Sequence, residues 1–223
     1  MRLSAVAVTL LVLLAALAGC REKPEPEIAA DPCPGPSLVA FGHSFVQGNA
    51  PGAPEKPWPA RVADELGVCE DNRGLAGSQS VHTAGFVEGY TPKDGDVVVI
   101  ETILNDIFVT GVRGLPAFRK NVDRMLDHLR KADEQPKRVV LVIDPPPAKW
   151  TDRPNQEPPF VHGSNGTLDQ YAEALADIAR KNRATVVDLR RGWEAERLEL
   201  PDELHPDEQG TARIARIVTR ALR

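Results

Sequence analysis

Short aliphatic runs alternate with longer amphipathic segments along most of this chain. The runs at 97–101 and 138–144 are almost entirely apolar, which is typical of parallel strands covered on both faces. Further strands are predicted at 38–41, 68–72 and 185–189. Helices are predicted at 58–66, 115–131, 167–181 and 207–222, the third opening with a capping box from Thr167 to Gln170. This alternation predicts an α/β fold, a three-layer α/β/α sandwich.

Loops that follow the strands are where chemistry is expected, because ligand sites of parallel sheets lie at the carboxyl ends of the strands. The predicted loops there are 42–57, 73–85, 102–114, 145–166 and 190–206. The fourth is long for a compact domain, and loops of that length are usually functional or disordered.

The N-terminal segment differs in kind from the rest. Arg2 precedes an apolar stretch over 3–18, which is short for a transmembrane helix and suits a secretory signal. Its end, Leu17-Ala18-Gly19-Cys20, resembles the bacterial lipobox. This implies a signal peptide at 1–19, lipid on the Cys20 thiol and a Pro-rich tether at 20–36. The expected product is an exported lipoprotein, membrane-anchored and facing the periplasm or the extracellular side. The alternative is an uncleaved anchor.

Two cysteines remain, Cys33 before the first predicted strand and Cys69 at the start of the second. In an exported protein such an even pair is usually a disulfide. We therefore predict a Cys33–Cys69 bridge, and two buried thiols are the alternative.

Composition excludes several classes of function. The net charge is -5 without clustered Lys and Arg, and aromatic residues are 5% of the chain, so a nucleic-acid partner is not expected. No glycine-rich nucleotide loop, His-Glu-x-x-His or Cys-x-x-Cys pattern occurs. We expect neither a cofactor nor a metal, and we expect a monomer.

Candidate catalytic residues come from two distant segments. Asp202 stands three positions before His205, and Pro206 follows, so a carboxylate can orient an imidazole within one loop. Ser44 follows the first strand behind Gly42, where a sharp turn can expose its hydroxyl. Taken alone, Ser44 is better explained as a helix-cap or turn serine.

Two further loops offer donors for a developing oxyanion. Gly77, after the second strand, lets a backbone N–H approach a ligand closely. Asn105, after the third strand, can offer a side-chain amide. The alternatives are a glycine turn and an Asx-turn.

Ser44, Gly77, Asn105 and His205 occur in the order of the SGNH hydrolases, also called the GDSL esterase/lipase family, and the resemblance covers most of 37–223. The block Asp202-x-x-His205-Pro-x-x-x-Gly210 is a close match, and Gly74-x-x-Gly77 and Asn105-Asp106 also fit. Membership implies a flavodoxin-like sheet of order 2-1-3-4-5 and hydrolysis of an ester or acetyl group through an acyl-serine intermediate. It makes Ser44 the nucleophile, His205 the base and Asp202 its partner. The N–H groups of Ser44 and Gly77 and the Asn105 amide would form the oxyanion hole.

The chain departs from the family pattern at two positions. His43 stands where the family usually has aspartate, and Ile103 stands where it usually has glycine. His43 is expected to support the turn before Ser44. A β-branched Ile103 does not adopt positive φ without strain, so the turn carrying Asn105 is expected to differ.

Substrate choice stays open in the sequence. Acetylated polysaccharide, lysophospholipid, short-chain ester and thioester all fit, with His82 and Trp150 as candidate substrate contacts and core or surface packing as their alternatives. Two other functions also fit: an O-acyltransferase acting on envelope glycans, and a non-catalytic binding lipoprotein.

Overall fold

Parallel strands form the centre of the protein in a computed structural model, which describes residues 35–48, 54–150, 160–191 and 200–223. In that part of the chain the sheet has five strands in the order β2-β1-β3-β4-β5. All four strand pairs are parallel. The predicted fold and strand order are therefore confirmed. The strands are β1 Ser37–Gly42, β2 Cys69–Gly74, β3 Val97–Glu101, β4 Arg138–Ile143 and β5 Thr185–Asp188.

Helices alternate with these strands and cover the sheet. In the described ranges they are α1 Ser44–Gln47, α2 Trp58–Leu66, α3 Ser80–Glu88, α4 Leu104–Thr110, α5 Leu115–Lys131, α6 Asn165–Asn182 and α7 Glu208–Leu222. Helices α2 and α7 pack against each other, while α5 packs against both α3 and α6. This pairing brings the C-terminal part of the chain next to the segment that follows β1.

The core lies where the aliphatic strands meet the apolar helix faces. β3 and β4 bury nearly every side chain they carry, as their continuous aliphatic sequences predict. The amphipathic face of α5 is buried as predicted, with Phe118, Val122 and Met125 fully inaccessible to solvent. β2 is an edge strand and is mostly half-buried. The most buried strands of the sheet are therefore β1, β3 and β4.

Three helices lie in segments that the sequence had indicated as loops. α1, α3 and α4 are short, and the buried side chains of α3 are Ser80, Thr83, Ala84 and Val87. A buried face made of small and polar side chains has no hydrophobic period to detect. The predicted cap of α6 is also wrong, because the helix begins at Asn165 and its cap is Ser164, whose Oγ accepts the Thr167 N–H at 3.1 Å.

Predictions for the N-terminal segment fall on residues outside the described ranges, Cys20 and Cys33 included. Cys69 is buried at the start of β2, and its sulfur lies 3.9 Å from the carbonyl oxygen of Gly35. The pairing of Cys33 with Cys69 stays a prediction. In the described part of the chain, none of the helices combines the length and apolarity needed to cross a bilayer.

Candidate active site

Ser44, His205 and Asp202 meet in a hydrogen-bonded line. Ser44 Oγ lies 2.9 Å from His205 Nε2, and His205 Nδ1 lies 2.6 Å from Asp202 Oδ2. The serine and histidine are 161 positions apart in the chain. An imidazole held this way can take the serine proton through Nε2 while the carboxylate stabilises the charge that results.

The turn that carries Asp202 and His205 is fixed by backbone hydrogen bonds. Asp202 Oδ1 accepts the N–H groups of Leu204 at 3.0 Å and His205 at 2.6 Å. Burial would raise the pKa of Asp202, but the hydrogen bonds from His205 and from these backbone groups outweigh burial and hold the pKa below its usual value. The carboxylate therefore stays ionised beside the imidazole.

Glu203, between the two catalytic residues, has a left-handed backbone with φ of 68°. A left-handed conformation is unfavourable for a residue with a Cβ atom. The Glu203 carbonyl accepts the Ala148 N–H at 2.9 Å, and its carboxylate lies 2.8 Å from Lys149 Nζ. The segment after β4 thus holds the catalytic turn in a conformation that the turn alone would not favour.

Close packing at the end of β1 sets the position of Ser44. A Cβ atom on Gly42 would collide with the Glu101 carbonyl and would lie 2.6 Å from Val46 Cγ2. Because glycine leaves that space free, α1 can begin at Ser44 immediately beyond the strand. Ser44 therefore stands at the first position of a helix, where backbone N–H groups have no partner within the helix.

Two backbone N–H groups are candidates for binding an oxyanion. Among the described residues, neither the Ser44 N–H nor the Gly77 N–H has a hydrogen-bond partner. Gly77 has φ of 75° and is exposed. Asn105 Nδ2 donates to the Ser78 carbonyl at 3.0 Å. An amide nitrogen carries two hydrogens, so one is used to hold the Gly77 loop and the second is left for a ligand.

Asp106 connects the segment that carries Asn105 to the segment that follows Gly77. Its carboxylate accepts the backbone N–H and the hydroxyl of Ser80, both at 2.6 Å, and Asn121 Nδ2 donates to the Ser80 Oγ at 2.9 Å. Burial raises the pKa of Asp106 despite these bonds from Ser80. Asp106 thus ties α4, which follows β3, to the first residue of α3, which follows β2.

Asp144 links the ends of three strands directly behind Ser44. It lies at the end of β4, and its Oδ1 is 2.7 Å from His43 Nε2, with both side chains buried. Its Oδ2 accepts the Ile103 N–H at 3.3 Å. Ile103 itself has φ of -99°, so no positive φ is required there. The two departures from the family pattern, His43 and Ile103, therefore share one carboxylate as their partner.

A second carboxyl, Glu101, is completely buried beside Asp144. Burial, and then the nearby charge of Asp144, raise the pKa of Glu101 well above its ordinary value. Trp58 Nε1 donates to one Glu101 oxygen at 3.3 Å, and the other oxygen accepts no hydrogen bond from the described residues. These facts fit a protonated Glu101 beside Asp144. In the sequence, both are acids that directly follow an aliphatic run, and that signal could have found them.

The two predicted substrate contacts, His82 and Trp150, both have structural roles. His82 is exposed in the first turn of α3, and its Nδ1 accepts the Gln79 N–H at 3.1 Å as part of a helix cap. Trp150 is only 4% exposed and packs edge-on to Phe108 at 5.4 Å. We therefore assign helix capping to His82 and core packing to Trp150, and substrate contact by either stays a prediction.

The surface around Ser44 offers a shallow depression and no metal site. Phe45, Gly48, Pro54 and Thr211 line this depression together with the catalytic pair. Within the described ranges, no group of three or more His, Cys, Asp and Glu side chains is arranged to hold a metal ion.

Solved structures share this fold at low sequence identity. A lipolytic protein of the G-D-S-L family from Desulfitobacterium hafniense aligns with a TM-score of 0.65 and 18% identity, over 84% of this chain and 99% of that chain. The acetyl xylan esterase AlAXEase aligns with a TM-score of 0.64 and 19% identity, over 84% and 100%. A carbohydrate acetylesterase family member from Sinorhizobium meliloti aligns with 0.65 and 18%, over 85% and 98%.

Sequence comparison identifies the family. No curated protein sequence matches the chain significantly. The model of the GDSL-like lipase/acylhydrolase family matches residues 40–213, a span from within β1 into α7 that includes Ser44, Gly77, Asn105 and His205. The chain thus belongs to the GDSL-like lipase/acylhydrolase family and is a hydrolase of the esterase and acylhydrolase class.

Proposed function

We propose that this hydrolase cleaves a carboxylic ester through an acyl-serine intermediate. The observation that carries the proposal is the line of hydrogen bonds from Ser44 Oγ through the His205 ring to Asp202 Oδ2. Structures of similar fold include an acetyl xylan esterase and a carbohydrate acetylesterase family member, which is consistent with the proposal.

In the first half of the reaction, Ser44 Oγ attacks the ester carbonyl carbon while His205 Nε2 takes the hydroxyl proton. The carbonyl oxygen becomes negative and is bound by the N–H groups of Ser44 and Gly77 and by the free hydrogen of the Asn105 amide. The carbon–oxygen bond to the alcohol then breaks, and the alcohol leaves with the proton from His205. The acyl group remains on Ser44.

Water completes the cycle. His205 Nε2 takes a proton from a water molecule whose oxygen attacks the acyl carbon. The bond to Ser44 Oγ breaks, the proton returns to Ser44, and the carboxylic acid leaves. Asp202 stays ionised throughout, because its hydrogen bonds hold its pKa low.

Replacement of Ser44 tests this proposal. Ser44→Ala is expected to abolish hydrolysis of p-nitrophenyl acetate and labelling by a fluorophosphonate probe, with an unchanged circular dichroism spectrum. Ser37→Ala, at the opposite end of β1, is the matched control and should retain both activities. Equal turnover by wild type and Ser44→Ala would refute the acyl-serine mechanism.

We also propose that the enzyme works in the cell envelope, anchored by lipid on Cys20 and braced by a Cys33–Cys69 disulfide. The signal-like sequence of 1–19 supports export. The position of the Cys69 sulfur beside Gly35, two residues after Cys33, supports the bridge. Metabolic labelling with an alkyne fatty acid should mark the wild type and leave Cys20→Ala unmarked. Labelling of both would overturn the anchor.

A further inference from the structure

A groove of about 720 Å³ lies along the outer edge of the sheet, between β2 and α3. Asp71 and Arg73 line its strand side, and Gly85 and Phe86 line its helix side. Small-ligand sites in proteins typically have volumes of roughly 300–1,000 Å³. The described catalytic residues do not line this groove, and the reaction outlined above does not use it.

The groove begins next to the candidate oxyanion hole. Leu75 lines its upper end, and the Leu75 N–H donates to the Gly42 carbonyl at 2.9 Å. Gly77 is two residues further along the chain, so its Cα lies within about 7.6 Å of the Leu75 Cα. A ligand at this end of the groove would therefore lie close to the Gly77 loop.

On the strand side, Arg73 and Asp71 form an ion pair that is held in a fixed orientation. Arg73 Nε lies 3.0 Å from both carboxylate oxygens of Asp71. The Arg73 guanidinium lies over the Tyr90 ring at 4.8 Å and over the Phe41 ring at 5.8 Å. Both members of the pair are about a third exposed. Guanidinium N–H groups and carboxylate lone pairs that this pair does not use can bind hydroxyl groups.

The other lining is apolar and open to solvent. Leu75 is 47% exposed and Phe86 is 37% exposed. A pyranose ring has an apolar face that can stack on Phe86 and a rim of hydroxyl groups that can bond to Asp71 and Arg73. An acyl chain would displace water from the ion pair without replacing its hydrogen bonds, which is unfavourable. The lining therefore suits a sugar better than a hydrocarbon chain.

Gly85 keeps the groove wide at its centre. It lies inside α3, where glycine is less favourable than alanine. A Cβ atom built on Gly85 would meet nothing within 4 Å. Packing does not require a glycine here, so a side chain at this position would project into free space beside the groove.

From these contacts we propose that the groove is a subsite for one sugar unit of a polysaccharide ester, adjacent to the unit whose ester is cleaved at Ser44. The inference rests on the proposed esterase function and adds a substrate class to it. No residue of the proposed subsite belongs to the Ser44–His205–Asp202 line.

Substrate selectivity provides the first test. The ratio of kcat/KM for acetylated xylotriose to kcat/KM for p-nitrophenyl acetate is expected to fall about tenfold in Gly85→Leu, which fills the groove. It should fall similarly in Phe86→Ala, which removes the aromatic ring on which the sugar would stack. Lys181→Leu, on the exposed surface of α6 beyond the opposite edge of the sheet, is the control and should keep the wild-type ratio.

Direct binding provides the second test and does not depend on turnover. Unacetylated xylotriose, titrated into the Ser44→Ala protein, is expected to shift the backbone amide signals of Leu75, Gly85 and Phe86 in NMR spectra. Loss of these shifts in Gly85→Leu would place the sugar in the groove.

The outcomes separate the subsite from the mechanism. An unchanged selectivity ratio in both groove variants, or sugar-induced shifts confined to other regions, would overturn the subsite. A selective loss of p-nitrophenyl octanoate hydrolysis would also overturn it and assign the groove to an acyl chain. By contrast, turnover that persists in Ser44→Ala would overturn the proposed mechanism whatever the groove binds.

Discussion

Replacing Glu101 by glutamine should stabilise the protein increasingly as the pH rises. Glu101 is fully buried next to Asp144, and its pKa in the folded protein is raised well above the ordinary 4.5. In the unfolded chain the same carboxyl ionises near its ordinary value. The folded state therefore binds more protons than the unfolded state above that pH, and the free energy of unfolding falls as the pH rises toward the raised pKa.

The size of the effect follows from the one proton that Glu101 keeps in the folded state and loses in the unfolded state. One proton corresponds to about 1.4 kcal/mol per pH unit. Glutamine keeps the shape of the side chain and an N–H donor for Asp144, and it does not titrate. The free energy of unfolding of Glu101→Gln minus that of the wild type should rise by about 1.4 kcal/mol per unit above pH 5. This is up to about 2.7 kcal/mol by pH 7, and the rise ends where the folded Glu101 ionises.

Urea unfolding followed by circular dichroism, at constant ionic strength and at half-unit steps from pH 5 to pH 8, measures this difference. Glu55→Gln, at an exposed position, is the control and should show a flat difference. A flat difference for Glu101→Gln as well would mean that Glu101 ionises alike in both states. The assignment of a protonated Glu101 near Ser44 would then be wrong.

Two further variants test the catalytic turn and the strand end. Asp202→Asn keeps an oxygen acceptor for the Leu204 and His205 N–H groups but removes the carboxylate that fixes the imidazole tautomer. The kcat for p-nitrophenyl acetate should fall on the order of 10³–10⁴-fold with little change in stability, and a fall below tenfold would contradict the role of Asp202. Gly42→Ala forces a Cβ atom against the Glu101 carbonyl and Val46. Its free energy of unfolding should fall by about 1–3 kcal/mol, and an unchanged urea midpoint would contradict the packing argument.

The sequence predicted the parts of the fold that repeat a simple period. The aliphatic strands β3 and β4 and the amphipathic helix α5 were found because each shows one buried pattern along its own length. α3 was missed because its buried face consists of small and polar side chains that depend on Asp106 and neighbouring strands. Local periodicity carries no information about such partners.

The candidate site likewise has one part that the sequence predicted and one part that it did not. Asp202 and His205 were predictable because three residues separate them, and Ser44 because it follows the first strand. The His43–Asp144 pair joins residues 101 positions apart. Only the order of the strands, which places β4 next to β3 and β3 next to β1, brings the two side chains together. Their partnership could not be inferred before the sheet was known.

Because Ser44 and His205 are far apart in the chain, recovery of activity during refolding would show when the two ends of the domain have come together. The nucleophile follows the first strand, and the base precedes the last helix, which is held against α2 by packing and by the Arg61–Glu208 ion pair. Closing a contact of such long range is slow relative to forming a single helix. Recovery of esterase activity during refolding would therefore follow the docking of the C-terminal helix rather than the collapse of the sheet. A chain truncated before α7 would retain both Ser44 and His205 but would lose the helix that packs against α2.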